Sequence, residues 1–395
     1  RRSRIIGKRF QLVHVICGRD VLEVSTFRRA PSSTKQEPLT AGARKIAQLE
    51  EAENMIFNDN DFGTSEEDAW RRDFTVNALF YDPVSEELLD YTGSGVADIE
   101  AGLVRAIGDP RLRFEEDPVR MLRALKLVGQ YGFRLERKTE SDLRSALPLI
   151  ELASVSRLSL ELEKVMQSPY AGDIMQAFCD YGFIRHFLPW FGNHSEQDRL
   201  RLAIKLLQIR DRRVRSGYYR SSASVAMATL ALPFVDSILD GGARLNPQPP
   251  DKSGEWDDEL LRQIFLTIYA PLSLVKRLSF TACRILALQP LFLSDIRPTR
   301  LVKQRSFAHA MELVKIQHDA DYLAFDPTFL RKWREVIAGC GGVNREESAE
   351  APPEPRRRPK RRKRSAANDS AEASAPHTEE LFRAELAAAA EDLKS

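Results

Sequence analysis

"RRDFTVNALFYDP", Arg71 to Pro83, decides how the first third of this chain is read. Its residues alternate: Phe74, Val76, Ala78 and Phe80 fall on one side, Asp73, Thr75 and Asn77 on the other. That period of two predicts a half-buried strand. The outer face would carry a carboxylate, a hydroxyl and a carboxamide in a row, with two guanidinium groups at its start. Arginine forks suit phosphate oxygens, and an Asn side chain can bond a ribose hydroxyl. The plainer account makes Arg71, Arg72 and Asp73 exposed ion pairs worth about 0–1 kcal/mol.

On the N-terminal side, "RFQLVHVIC" and "DVLEVSTF" read as two strands joined by a tight turn at Gly18, Arg19 and Asp20. Thr64-x-x-Glu67 has the spacing of a capping box and predicts a short helix just before the opening stretch. Beyond it, Gly93 and Gly95 make a loop ahead of another short helix. After Pro110 strands almost disappear. "DPVRMLRALKLVGQYGF" has Asp117 at a natural N-cap, Pro118 at the first helical position and Gly132 as the stop. Helical patterning continues over 137–148, 156–167, 171–183, 196–210, 221–238, 256–268, 271–287, 299–316 and 327–338. From about Glu346 the composition turns to Glu, Ala, Pro, Ser and Arg, which cannot bury enough apolar area to fold alone. A last helix capped by Thr378 is expected near the end.

A chain of 395 residues with 43% hydrophobic and 29% charged residues reads as globular. It holds no run of about 18 apolar residues, which argues against a membrane span. Cys17, Cys179, Cys283 and Cys340 lack Cys-x-x-Cys spacing, against a zinc site or disulfide framework and in keeping with a reducing cytoplasm. The net charge of +2 hides an asymmetry: residues 356–364, "RRRPKRRKR", hold eight basic side chains and leave the remainder at −6.

Two further clusters carry chemistry. Asp117, Arg120 and Arg123 recur along one side of a helix, an acceptor and two donor forks that could read a base edge. The ordinary account has Asp117 pairing Arg120 and capping the helix. Glu23, in the apolar strand "VLEVSTF", is an ordinary outward carboxylate or, facing a nucleotide cleft, a ligand for Mg²⁺.

Together these elements resemble the class II nucleotidyltransferases of the polymerase-β-like superfamily, the bacterial poly(A) polymerases and CCA-adding tRNA nucleotidyltransferases. "RRDFTVNAL" is similar to that family's Arg-Arg-Asp-Phe-Thr-x-Asn-Ala element, and "EDPVRMLRAL" to its Glu-Asp-x-x-Arg-x-Leu-Arg element, some 40 residues later and in the expected order. The likeness covers at least residues 4–165. "IIGKRFQLVHV" and the basic C-terminal extension resemble the poly(A) polymerase branch. Two departures stand out: "KLVGQYGF" where the family usually has an Arg-Phe pair, and Ser94 between glycines that are usually paired.

The resemblance implies an α+β protein. An incomplete nucleotidyltransferase head with a mixed sheet (1–109) would lead to a helical neck (110–168), an all-α body (169–345) and a disordered basic tail (346–395). Arg72 and Asp73 would position the triphosphate of ATP and Asn77 its ribose. Asp117 and Arg120 would recognise the base, with Arg123 in support, and Glu23 would stand beside the Mg²⁺ ions. The family's Gly-Gly-x-Val-Arg-Asp loop and Asp-x-Asp pair belong upstream of Arg4 and are not in this sequence. Asp59-x-Asp61 follows the Glu23 strand instead of preceding it and does not replace them. The chain as written is therefore expected to be truncated and inactive alone. Arg356, Arg357, Arg358, Lys360, Arg361, Arg362, Lys363 and Arg364 are expected to grip RNA phosphates without reading sequence, since no aromatic residue interrupts them. The expectation is AMP addition to RNA 3′ ends. The alternatives are CCA addition and a noncatalytic RNA-binding relative.

Overall fold

The computed structural model describes residues 2–6, 12–18, 20–29, 62–192, 197–239, 258–293, 298–323 and 325–340. It opens with three antiparallel strands, β1 (Arg2–Ile6), β2 (Leu12–Cys17) and β3 (Asp20–Val24), in that order across the sheet. The β2–β3 hairpin turns where the sequence places it, with Ile16 opposite Val21 and His14 opposite Glu23. β1, "RSRII", is an addition to that reading, because five residues with two arginines show no period. The sheet leaves Ile5 64%, Val21 52% and Leu22 56% exposed. Residues 21 and 22 are neighbours, so both faces of β3 present apolar groups to water.

The stretch 71–83 is not one strand. Helix α1 (Ser65–Arg71) carries the expected capping box, with Thr64 Oγ1 accepting from the Glu67 N–H and Glu67 Oε2 accepting from the Thr64 N–H. A 3₁₀ turn follows at Thr75–Asn77, and only then β4 (Leu79–Asp82), paired with β5 (Glu87–Asp90). The reason is local hydrogen bonding that competes with a strand ladder. Asp73 Oδ1 accepts from the Phe74 N–H at 2.9 Å and from Asn77 Nδ2 at 3.1 Å. The Thr75 hydroxyl donates to Asp98 at 2.7 Å. Asp73 and Thr75, expected to face outward, are buried, and Phe74 drives into the core as it bridges to Ala106.

Helix α2 (Gly95–Ala101) and the short β6 (Leu103–Val104) follow. Next come α3 (Pro110–Glu116), α4 (Val119–Tyr131), β7 (Arg134–Leu135, parallel to β6), α5 (Arg137–Ala146) and α6 (Val155–Gln167). The start of α4 is one residue later than the sequence suggests: Pro118 occupies the cap position, while Asp117 Oδ1 still accepts from the Val119 N–H. Gly132 ends the helix in the left-handed region, φ 69°, as expected.

The remaining described elements are helical: α7 (Ala171–Asp180), α8 (Ile184–Phe187), α9 (Gln197–Arg215), α10 (Ala223–Leu239), α11 (Asp258–Ile268), α12 (Lys276–Ala287), α13 (Gln289–Leu293), α14 (Pro298–Val302), α15 (Phe307–Asp319) and α16 (Phe329–Gly339). Every residue of α10 from Ala223 to Asp236 is buried, so the other helices are arranged around it. The single helix expected over 299–316 is two, α14 and α15, split where Phe307 N–H turns back to Gln304 O so that Leu301 and Phe307 can both be buried. One contiguous apolar core runs from Phe74 through α4 and α10 to Trp333. Asp59, Asp61, the basic run 356–364 and the helix from Thr378 lie outside the described residues.

Helices α4 and α7 meet at a close crossing. A Cβ on Gly129 of α4 would lie 2.4 Å from Ile174 Cα and 2.6 Å from Ile174 N in α7. Gly129→Ala should gain about 1 kcal/mol of helix propensity and lose more, because the obstacle is backbone and overpacking costs about 1–3 kcal/mol. Urea unfolding should show a net loss; a variant as stable as the parent would mean that the helices are not held this closely.

Candidate nucleotide site

α1 ends at Arg71, and the chain leaves it extended at Arg72. Asp68, one turn back on the same helix, clamps this corner. Its carboxylate accepts from Arg71 Nε at 2.8 Å, from Arg72 Nε and Nη2 at 3.1 and 3.0 Å, and from the Arg28 N–H at 3.2 Å. Arg72 also donates through Nη1 to Asn77 O at 2.7 Å, and its guanidinium lies over the Phe80 ring, 4.7 Å from the centroid. The guanidinium is thus fixed in plane by Asp68 and in tilt by Phe80.

This corner lines an open cleft of about 510 Å³ together with Glu23, Ser25, Arg28 and Phe80. That size suits a small-molecule ligand. Glu23 and Arg72 therefore share one cleft, as the sequence suggests. Asp73 does not line it. It lies beneath the corner, with Oδ2 at 2.8 Å from Arg123 Nη2. The pair is an ion contact without an aligned hydrogen bond on that oxygen. Asn77 is spent partly on Asp73 and Arg72.

The base-edge candidates sit at the start of α4 and just before it. Asp117 takes a 2.8 Å ion pair from Arg157 of α6 in addition to the Val119 N–H. Arg120 Nη1 donates to Arg113 O at 2.8 Å and to Glu116 Oε2 at 2.9 Å. Arg113 in turn donates from Nη2 to the carbonyls of Arg71 and Arg72, at 2.7 and 2.6 Å. Arg72, Asp73, Arg120 and Arg123 are thereby joined by two short links, Arg113 and the Asp73–Arg123 pair. Of the departures, Lys126 lies 3.8 Å from Glu161 of α6, with burial pulling its ammonium below the usual value, and Leu127 rests on the core.

Sequence reasoning passed over Asp68, Arg113 and Arg157. Asp68 was findable, since Asp at i with Arg at i+3 and i+4 on a capped helix predicts a clamp. Arg157 reaches Asp117 from 40 residues away, and no local pattern announces it.

Burial pushes the Asp68 carboxyl up, but the bonds from Arg71, Arg72 and the Arg28 N–H outweigh it and hold it below its ordinary 3.8. A depressed carboxyl contributes stability that is complete above its unfolded value, about pH 4, and is lost as pH falls through the folded value. Acid unfolding of Asp68→Asn should lack this component, so parent and variant should converge below pH 4. A gap that persists at lower pH would refute it.

A metal fits poorly here. Among the described residues no group of three or more His, Cys, Asp or Glu could hold an ion, and the neighbour of Glu23 is His14, at 3.2 Å. No ligand set for a pair of Mg²⁺ ions is present among them.

The fold is that of solved tRNA-processing nucleotidyltransferases. The Bacillus stearothermophilus CCA-adding enzyme in complex with CTP superposes with a TM-score of 0.55 at 21% identity, over 86% of this chain and 69% of that one. A tRNA nucleotidyltransferase complexed with a primer tRNA and an incoming ATP analog gives 0.51 at 21% identity, over 85% and 84%. Residues 1–105 match the family described as "Poly A polymerase head domain", and residues 132–192 "Probable RNA and SrmB- binding site of polymerase A". Poly(A) polymerase I of Haemophilus influenzae is 30% identical over 379 residues, 92% of this chain and 80% of that protein. The Escherichia coli O6:H1 enzyme of the same name is 30% identical over 60% of the chain, which spans half of its length. A CCA-adding enzyme of Bacillus velezensis is 33% identical over 50% of the chain and 45% of its own length. The chain belongs to the class II nucleotidyltransferase family of poly(A) polymerases and CCA-adding enzymes. Among the described residues no helix is long and apolar enough to cross a membrane.

Proposed function

We propose that the chain serves AMP transfer from ATP to RNA 3′ ends, as a poly(A) polymerase of the cytoplasm. The supporting observation is extent: likeness to a poly(A) polymerase runs over 92% of the chain, and likeness to a CCA-adding enzyme over 50%. In this reading Arg72 offers its remaining N–H groups to the triphosphate from a plane fixed by Asp68. Asn77 meets the ribose, Asp117 and Arg120 meet the base, and Arg123 holds Asp73 beneath them. Glu23 lines the same cleft as Arg72 and would stand near the bound nucleotide. The chain's own residues bind and orient the nucleotide.

The second reading, CCA addition, draws on the shared fold and on 33% identity over half the chain. Incorporation by the intact gene product separates the two. Poly(A) synthesis predicts ATP-only extension of an unstructured RNA; CTP incorporation restricted to tRNA lacking its CCA end would reverse the assignment. No nucleotide incorporation with any RNA would favour a noncatalytic binder.

The basic run 356–364 is proposed to hold RNA backbone. Up to eight phosphate contacts would each add about −0.7 to the slope of log affinity against log salt on single strands. Deleting 353–365 should weaken RNA binding and flatten that slope. Unchanged affinity at low salt would refute the role.

A further inference from the structure

Arg113 is not among the residues assigned to the nucleotide, and its position explains why it should be indispensable to them. Its guanidinium is committed inside the protein, with three of its N–H groups already donated to protein acceptors. One nitrogen, Nη2, serves two consecutive carbonyls, those of Arg71 and Arg72, from more than 40 residues away. Nη1 donates to Glu116 Oε2 at 2.9 Å, and that same oxygen accepts from Arg120 at 2.9 Å. The Arg113 carbonyl holds Arg120 a second time, at 2.8 Å. Burial, and then the nearby Arg120, pull the guanidinium below its usual value against Glu116 and Asp73. A cation is kept here at a cost, where a neutral side chain could not bridge both carbonyls and the carboxylate.

We infer that Arg113 is a positioning residue that sets the distance between the phosphate corner at Arg71–Asp73 and the base-reading edge at Arg120. The inference rests on the nucleotide site proposed above. Its side chain fixes the corner, its backbone fixes the edge, and both belong to the last turns of one short helix. A ligand that touches only the corner needs the corner's own shape, which Asp68 holds. A ligand that touches corner and edge together needs the Arg113 bracket as well.

Calorimetric binding of ATP and of inorganic tripolyphosphate to the intact protein tests this, with the parent, Arg113→Met and Arg113→Lys compared. Arg113→Met should weaken ATP by about tenfold or more, the scale of a lost charged hydrogen bond. It should weaken tripolyphosphate by no more than about threefold, since the corner keeps Asp68. Arg113→Lys, which retains charge and volume, should fall between parent and Met, and it carries the comparison if the Met variant fails to fold. Equal losses for both ligands, or no loss for ATP, would overturn the inference. A parent protein that binds neither ligand would instead overturn the nucleotide site itself.

Discussion

Arg72→Lys should abolish most nucleotide transfer while leaving the fold intact. Lysine keeps the charge, yet it has no planar fork to sit on Asp68 with two nitrogens, reach Asn77 O with a third and lie flat on Phe80. Removing one preorganised donor from a developing charge costs about 10²–10³ in rate. The stability loss should be small by comparison, because Arg71 remains on Asp68 and Arg72 itself is partly exposed. Single-nucleotide incorporation by the intact protein, beside a thermal melt, reads both. Activity within about threefold of the parent would remove Arg72 from the phosphate site.

The largest effect on stability is expected at Arg210→Met. Arg210 is fully buried in α9; it donates to Asp211 Oδ1 at 2.7 Å, Ser168 O at 2.6 Å and Ser221 Oγ at 2.6 Å. Asp211 accepts from the Gly172 N–H at 2.7 Å, so the pair ties α9 to the start of α7. Removing one partner of a buried pair leaves an uncompensated charge, a loss of about 3–5 kcal/mol. Burial already pushes the Asp211 carboxyl up despite Arg210. Without the guanidinium it should rise further and take up a proton. A raised carboxyl favours the folded state below its unfolded value, near pH 4, and ceases to do so as pH climbs through the folded value. The deficit of Arg210→Met in urea unfolding should therefore shrink from pH 7 towards pH 4. A variant within about 1 kcal/mol of the parent at pH 7 would show that the pair contributes little.

What was legible in the sequence was mostly local. Thr64 and Glu67 announced α1, Gly132 announced the end of α4, and helical periodicity located most of the body within a few residues. These signals act over one or two turns, the range in which a side chain meets its own backbone. The opening stretch failed for the same reason inverted. Its alternation is real, but Asp73 and Thr75 have partners that alternation cannot reveal: Asp98 lies 23 residues beyond Thr75, and Arg123 lies on another helix. The candidate site shows the same divide. Arg72 and Glu23 line one cleft, and Arg123 pairs with Asp73 beneath it. The bracket through Arg113 and the hold of Arg157 on Asp117 come only from three-dimensional placement.

The two-faced sheet of β1 to β3 has a practical corollary for anyone handling this polypeptide. Ile5, Val21 and Leu22 offer adhesive ground on either side, and β1 and β3 stand at the two edges of this sheet among the described residues. Precipitating salts such as ammonium sulfate strengthen that kind of attraction. Concentrated preparations of this chain should cling to one another head first, and dilute, low-sulfate buffers should keep them apart.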